Sequence, residues 1–167
     1  MNRNLIALLF FGIFAVLACR KDDEGLQRVD QVLNLYIDSA GIDMLNSNIP
    51  GAYTQTAFND IYGNLDNSPV SFQNKKDSDT VHYMYYVAGA RRITLDSVDT
   101  YNKTLQSKIA LNLRKKKTDT TFMTTRDTLI LNYRFTPEVF ELSEAYYNGN
   151  LVFTKVSGEP NIIRIHK

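Results

Sequence analysis

The sequence predicts an all-β domain, and three features point to an antiparallel, immunoglobulin-like β-sandwich of about seven to nine strands. Tyr and Phe number 10 and 9, Thr, Val and Ile are abundant, and Trp is absent. Such aromatic and β-branched side chains suit a pleated, half-buried surface. Several segments alternate apolar and polar residues with a period of two. Clusters of Gly, Pro, Asn and Asp separate these segments at about 8–12 residues, the spacing of a sandwich or barrel.

The first strand is expected at Gln31–Ser39, where Val32-Leu33-Asn34-Leu35-Tyr36-Ile37-Asp38 nearly alternates. Gly41 and the stretch Asn46–Gly51 carry turn chemistry. Phe58–Tyr62 predicts a second strand and Val70-Ser71-Phe72 its short partner. In Thr80–Ala88, Val81, Tyr83, Tyr85 and Val87 point one way, with His82, Met84 and Tyr86 opposite. Ile93–Val98 is a further strand. Across Thr104–Arg114, Leu105, Ile109, Leu111 and Leu113 share one face, interrupted only by Ser107. A basic turn and a Thr-rich stretch follow, and Thr128–Phe135 places Leu129, Leu131, Tyr133 and Phe135 on one side. Asn148-Gly149 lies between Glu138–Tyr147 and Asn150–Val156, and this pair suits a type I′ hairpin because both positions tolerate positive φ. Ile162–Ile165 closes the domain, which spans residues 29–167.

The first 28 residues have a different character. Met1-Asn2-Arg3-Asn4 carries one positive charge, and an unbroken apolar run extends from Leu5 to Ala18. As a helix that run reaches about 21 Å, short of the roughly 30 Å hydrocarbon core. A positive start and an apolar centre of this length predict a secretory signal. The run ends in Val16-Leu17-Ala18-Cys19, aliphatic residues and then a small one directly before Cys. This resembles the lipobox of bacterial lipoproteins. The resemblance implies that residues 1–18 are a signal peptide. It also implies that the Cys19 thiol takes up diacylglycerol and that the new amino group receives a fatty acyl chain such as palmitate. Two or three acyl chains make the attachment effectively permanent. Because Cys19 is the one cysteine, lipidation leaves no thiol for a disulfide, zinc or nucleophilic catalysis.

Residues 19–28 form a charged tether opening Cys19-Arg20-Lys21-Asp22-Asp23-Glu24. Lys21 followed by Asp22 and Asp23 resembles the lipoprotein export signal of the Bacteroidota, which implies the outer face of the outer membrane. The same composition makes a solvated spacer, so the periplasmic leaflet is the alternative. Three further segments, Ile42–Asn46, Asn48–Tyr53 and Tyr147–Val152, resemble parts of small uncharacterised Bacteroidota lipoproteins, a likeness that brings no activity with it.

Once Arg3 is set aside with residues 1–18, basic and acidic side chains balance. A balanced surface argues against nucleic acid as partner. His82 and His166 are far apart and lack the spacing of a metal site, and His82 is expected to be packed or hydrogen-bonded. Asp60, Asn64 and Asp66 look like a calcium loop, but Tyr62 and Leu65 stand where ligands and Gly are required, so an Asx-rich turn is expected. There is no GxSxG, SxxK or glycine-rich phosphate loop. Glu138, Glu141 and Glu144 are available for glycoside hydrolysis, but strand alternation turns Glu141 away from the other two.

No catalytic residue, metal or cofactor is therefore expected beyond the lipid on Cys19. The residues expected to meet a partner are Tyr146 and Tyr147 at a hairpin tip and the basic run Arg114, Lys115, Lys116 and Lys117. An aromatic ring at such a tip stacks on a sugar or anchors a protein contact; for both sets, packing or a solvated turn is the competing expectation. The functional expectation is a lipid-anchored, non-enzymatic module binding a protein or glycan. The alternatives are a structural envelope lipoprotein without soluble ligand and a carboxylate-dependent hydrolase.

Overall fold

The structure, a computed structural model, describes residues 25–167. The signal segment, Cys19, Lys21, Asp22 and Asp23 lie outside the described residues. From Arg28 onward the backbone forms β1 (Arg28–Asp30), β2 (Val32–Ser39), β3 (Ile42–Asp43), β4 (Tyr53–Asp60), β5 (Pro69–Val70), β6 (Gln73–Lys76) and β7 (His82–Val87). It continues with β8 (Ile93–Ser97), β9 (Lys103–Lys116), β10 (Phe122–Phe135), β11 (Val139–Tyr147), β12 (Asn150–Thr154) and β13 (Asn161–His166).

These strands make an all-β sandwich. The larger sheet runs β1-β11-β10-β9-β4-β5, with β12 also on β11 and β8 also on β9; the smaller runs β13-β2-β7-β6, with β3 on β2. The likeness to an immunoglobulin domain extends to two mainly antiparallel sheets facing each other across one core. Two pairings depart from the antiparallel expectation: β1 runs parallel to β11 and β13 parallel to β2. The first arises because residues 28–39 serve both sheets. The chain pairs with β11 up to Asp30, crosses at Gln31 and continues as β2.

Alternation decides which side chains meet. Leu33, Leu35, Ile37, Met84, Tyr86, Ile163 and Ile165 from the smaller sheet face Phe58, Ile109, Leu111, Leu113, Leu129, Leu131 and Tyr133 from the larger. Ser107, the polar break on the apolar face of β9, is fully buried and shares a 3.3 Å hydrogen bond with the Tyr133 hydroxyl. Either Ser107→Ala or Tyr133→Phe is expected to cost about 1 kcal/mol, and the double variant less than the two combined, because it leaves no orphan. Urea denaturation of the three variants checks this.

Turn chemistry matches the sequence at two hairpins with two-residue turns. Asn148 and Gly149 have φ of 49° and 87°, and Ala40 and Gly41 have 50° and 78°, the signature of tight turns matched to strand twist. Two expectations are corrected. The strand expected at Phe58–Tyr62 is β4, beginning at Tyr53, and an irregularity between Tyr53 and Gln55 spoils the alternation that would have marked its start. Arg114, Lys115 and Lys116 do not form a turn; they continue β9, and the turn is Lys117–Thr121.

Candidate functional site

The domain has two distinct ends. β9 and β10 pair over their full 14 residues, which at about 3.4 Å per residue spans roughly 44 Å. At one end the incoming chain is fastened to the β10–β11 turn. The Gln27 side-chain amide donates to the Thr136 carbonyl at 2.6 Å, and the Arg28 amide donates to the Glu138 carbonyl at 2.8 Å. At the other end stand Lys115–Lys117. The β2–β3 hairpin belongs there too, because the Tyr53 amide donates to the Met44 carbonyl and Tyr53 pairs with Lys115. Lys167 confirms the alignment: its amide donates to Asp38, and its ammonium reaches Asp127 at 2.7 Å.

Near this far end the outer face of the smaller sheet carries a row of four side chains in register, Arg164, Tyr36, Tyr83 and Lys75. The Tyr36 and Tyr83 rings stack with centroids 5.2 Å apart, the Arg164 guanidinium lies 4.2 Å over Tyr36, and the Lys75 ammonium lies 3.4 Å over Tyr85. Beside the row opens a groove of about 720 Å³, walled by Tyr36, Asp38, Asp43, Val81, Arg164 and His166. Most of its polar groups are held in place. His166 Nδ1 lies 2.7 Å from Asp38 Oδ2. The other carboxylate, Asp43, accepts the Leu45 amide, the His82 amide and His82 Nδ1 at 2.9, 2.9 and 2.7 Å. Burial and the neighbouring Asp77 carboxylate push the Tyr36 hydroxyl above the ordinary phenol range, so it stays protonated. Arg164 has no carboxylate partner among the described residues. A guanidinium placed over an aromatic ring is held by cation–π attraction, and Arg164 is exposed to solvent. The groove thus sets fixed donors and acceptors against an apolar wall, an arrangement that suits binding a polar molecule.

The residues expected to meet a partner separate into three places. Tyr147 is buried, and its hydroxyl donates to Asp127 Oδ2 at 2.6 Å. Tyr146 faces outward, and its hydroxyl donates to Glu144 at 2.9 Å. Arg114 spreads over the Phe122 ring at 4.0 Å and donates to the Gln55 side chain, while Lys116 and Lys117 are exposed. Tyr146 is level with Ile130 and Lys108, six residues along β9 from Arg114 and therefore roughly 20 Å away. The hairpin tyrosine and Arg114 lie on the same sheet face but too far apart to form one patch.

The glutamates are arranged differently from the expected alternation. Leu142 pairs with Tyr133 and Glu144 with Asn132, so Ser143 is an extra residue, a β-bulge. It brings Glu141 and Glu144 onto the same outer face. Both are engaged there: Glu141 is buried between Arg28 at 2.9 Å and Arg134 at 2.5 Å, and Glu144 accepts from Asn132 and Tyr146. The Asx-rich turn forms as expected, and an arginine occupies its mouth. Arg91 Nη1 donates to Asn64 Oδ1 at 2.6 Å, while buried Asp60 accepts the Tyr62 and Arg91 amides. Gly63 is required by close approach, since a Cβ there would lie 2.4 Å from that of Ser68. Gly63→Ala should therefore cost about 2 kcal/mol, with part of the loss recovered by adding Ser68→Gly; thermal unfolding measures both. Among the described residues no group of three or more His, Cys, Asp or Glu is placed to hold a metal ion.

Tyr36 and Arg164 were not singled out from the sequence. The alternation of β2 already turns Tyr36 away from Leu33, Leu35 and Ile37, so its outward position was legible. The neighbour Arg164 arrives through a parallel pairing across more than a hundred residues, which no local pattern announces. Comparison with protein-family models, curated proteins and solved structures finds no match to this chain.

Proposed function

We propose that the protein is a lipid-anchored cell-envelope lipoprotein whose β-sandwich is a non-catalytic binding module for a protein or glycan partner. One observation carries the reading. The tether joins the domain at one end, while the Arg164 groove and the basic hairpin lie toward the other, some tens of ångströms away. A module meant to reach an external partner needs this separation. The lipobox at Val16–Cys19 and the Lys21-Asp22-Asp23 signal support attachment to the outer membrane, with its outer face the favoured side. Within the groove, Asp38 and Asp43 supply acceptors, Arg164 supplies donors and Val81 with Tyr36 supplies an apolar wall, the mixture that sugar hydroxyls and polar peptide surfaces require.

The test compares the full-length protein with Arg164→Ala on a glycan array and in pull-downs from detergent-solubilised outer membranes. The proposal expects a specific partner that Arg164→Ala weakens by about tenfold, the scale of losing one charge-assisted contact. A partner held equally by both proteins would move the site elsewhere. Protease treatment of intact cells should digest the domain; protection would place it on the periplasmic leaflet.

A further inference from the structure

We infer that the end of the domain where the tether joins is itself a membrane-contact surface, with the β8–β9 hairpin tip resting in the headgroup region of a zwitterionic bilayer. The inference deepens the proposed function and rests on lipid attachment at Cys19. Only five residues lie between Cys19 and Gly25, and the six residue steps fully extended reach about 20 Å. Leu26 is 97% exposed, and the next residue is fastened to the β10–β11 turn. An anchor at Cys19 therefore holds this end, rather than the basic one, against the lipid.

What stands at this end suits that position. The β8–β9 tip presents Val98, 85% exposed, and Tyr101, 64% exposed, within four residues of each other. Val98 shares a recess with Thr136 of the turn that fastens the incoming chain, so the tip and the tether lie side by side. The tip is pre-formed: Asp99 Oδ1 accepts the Tyr101 and Asn102 amides at 2.7 and 2.8 Å, and the Val98 amide donates to the Asn102 carbonyl at 3.0 Å. An apolar side chain and an amphipathic phenol on a hydrogen-bonded loop match the interfacial zone, where tyrosine places its ring among headgroups. Charges beside them are mixed, with Lys103 and Arg134 near Asp96, and this fits a zwitterionic surface better than a strongly anionic one.

The experiment uses the lipidated protein extracted from cells, in which acylated Cys19 leaves no other thiol. Val98→Cys, Tyr101→Cys and Lys117→Cys are made singly, labelled with an environment-sensitive fluorophore and reconstituted into phosphatidylcholine vesicles. Flotation reports attachment, and aqueous iodide quenching reports exposure of the label. The inference expects the protein to float, with labels at 98 and 101 quenched at least about threefold less than the label at 117. Floating protein with all three labels quenched alike overturns the contact surface and leaves the anchor standing. Protein that fails to float overturns the anchor, and the contact surface with it.

Discussion

Replacing Tyr86 with Ala is expected to lower the free energy of unfolding by about 4 kcal/mol, the largest effect of any substitution considered. The ring is fully buried between the sheets and meets Phe58 edge-on with centroids 5.5 Å apart. Its hydroxyl accepts the Ala90 amide at 2.8 Å. That bond fixes the chain as it leaves β7 in the smaller sheet and crosses to β8 in the larger. Truncation removes the packed ring and leaves the amide unpaired. Tyr86→Phe separates the two contributions, since it keeps the ring and should cost about 1–2 kcal/mol. Burial pushes the hydroxyl far above the ordinary phenol range, so the wild-type contribution should persist into alkaline solution. Urea denaturation followed by circular dichroism measures both variants. A loss below about 1 kcal/mol for Tyr86→Ala would be incompatible with this packing.

The second large effect is expected at Asp127, a buried carboxylate on β10. It accepts from the Tyr147 hydroxyl at 2.6 Å, the Asn148 side-chain amide at 2.9 Å and the Lys167 ammonium at 2.7 Å. Asp127→Ala leaves all three donors without this acceptor and should cost about 2–3 kcal/mol; Lys167 retains some access to water, which limits the loss. Burial alone would raise the Asp127 pKa, but Lys167, Tyr147 and Asn148 together outweigh it and hold the carboxyl below its usual range. A group with a depressed pKa in the folded state stabilises the fold at pH values above its unfolded pKa. That contribution fades as pH falls below about 4 and is gone once the folded-state pKa has been passed. Asp127→Asn should therefore lower stability at neutral pH and flatten the acid limb of the stability curve. An unchanged acid limb would show that the carboxylate is not held in this way.

How much of this was legible in the sequence depended on how far local pattern governed each element. The long strands announced themselves because one side of each faces the core. Leu105, Ile109, Leu111 and Leu113 keep a single parity, and Ser107 breaks it for a partner, Tyr133, that only the folded pairing supplies. Asn148-Gly149 was legible because few residue pairs tolerate two positive φ angles in succession. The irregularity in β4 and the bulge at Ser143 were not, since each inserts a step that reverses the expected facing. The bulge is why Glu141 shares a face with Glu144 where simple alternation sets the two apart. In sequence the basic run reads as a turn because lysines favour solvent, yet a long hairpin arm carries them equally well. In the groove, Tyr36 could be placed outward from alternation alone. Its company of Arg164 and His166 depends on the parallel pairing of β13 with β2, and such a long-range pairing leaves no local trace.

The proposed function has its root in the chemistry of one thiol, and the two-ended domain takes its meaning from that attachment. Intact-mass spectrometry of the polypeptide extracted from its native envelope addresses this directly. The expected species begins at Cys19 and carries the added mass of a diacylglyceryl group and an amide-linked fatty acid. A chain that still includes residues 1–18, or one that begins at an unmodified cysteine, would contradict the account.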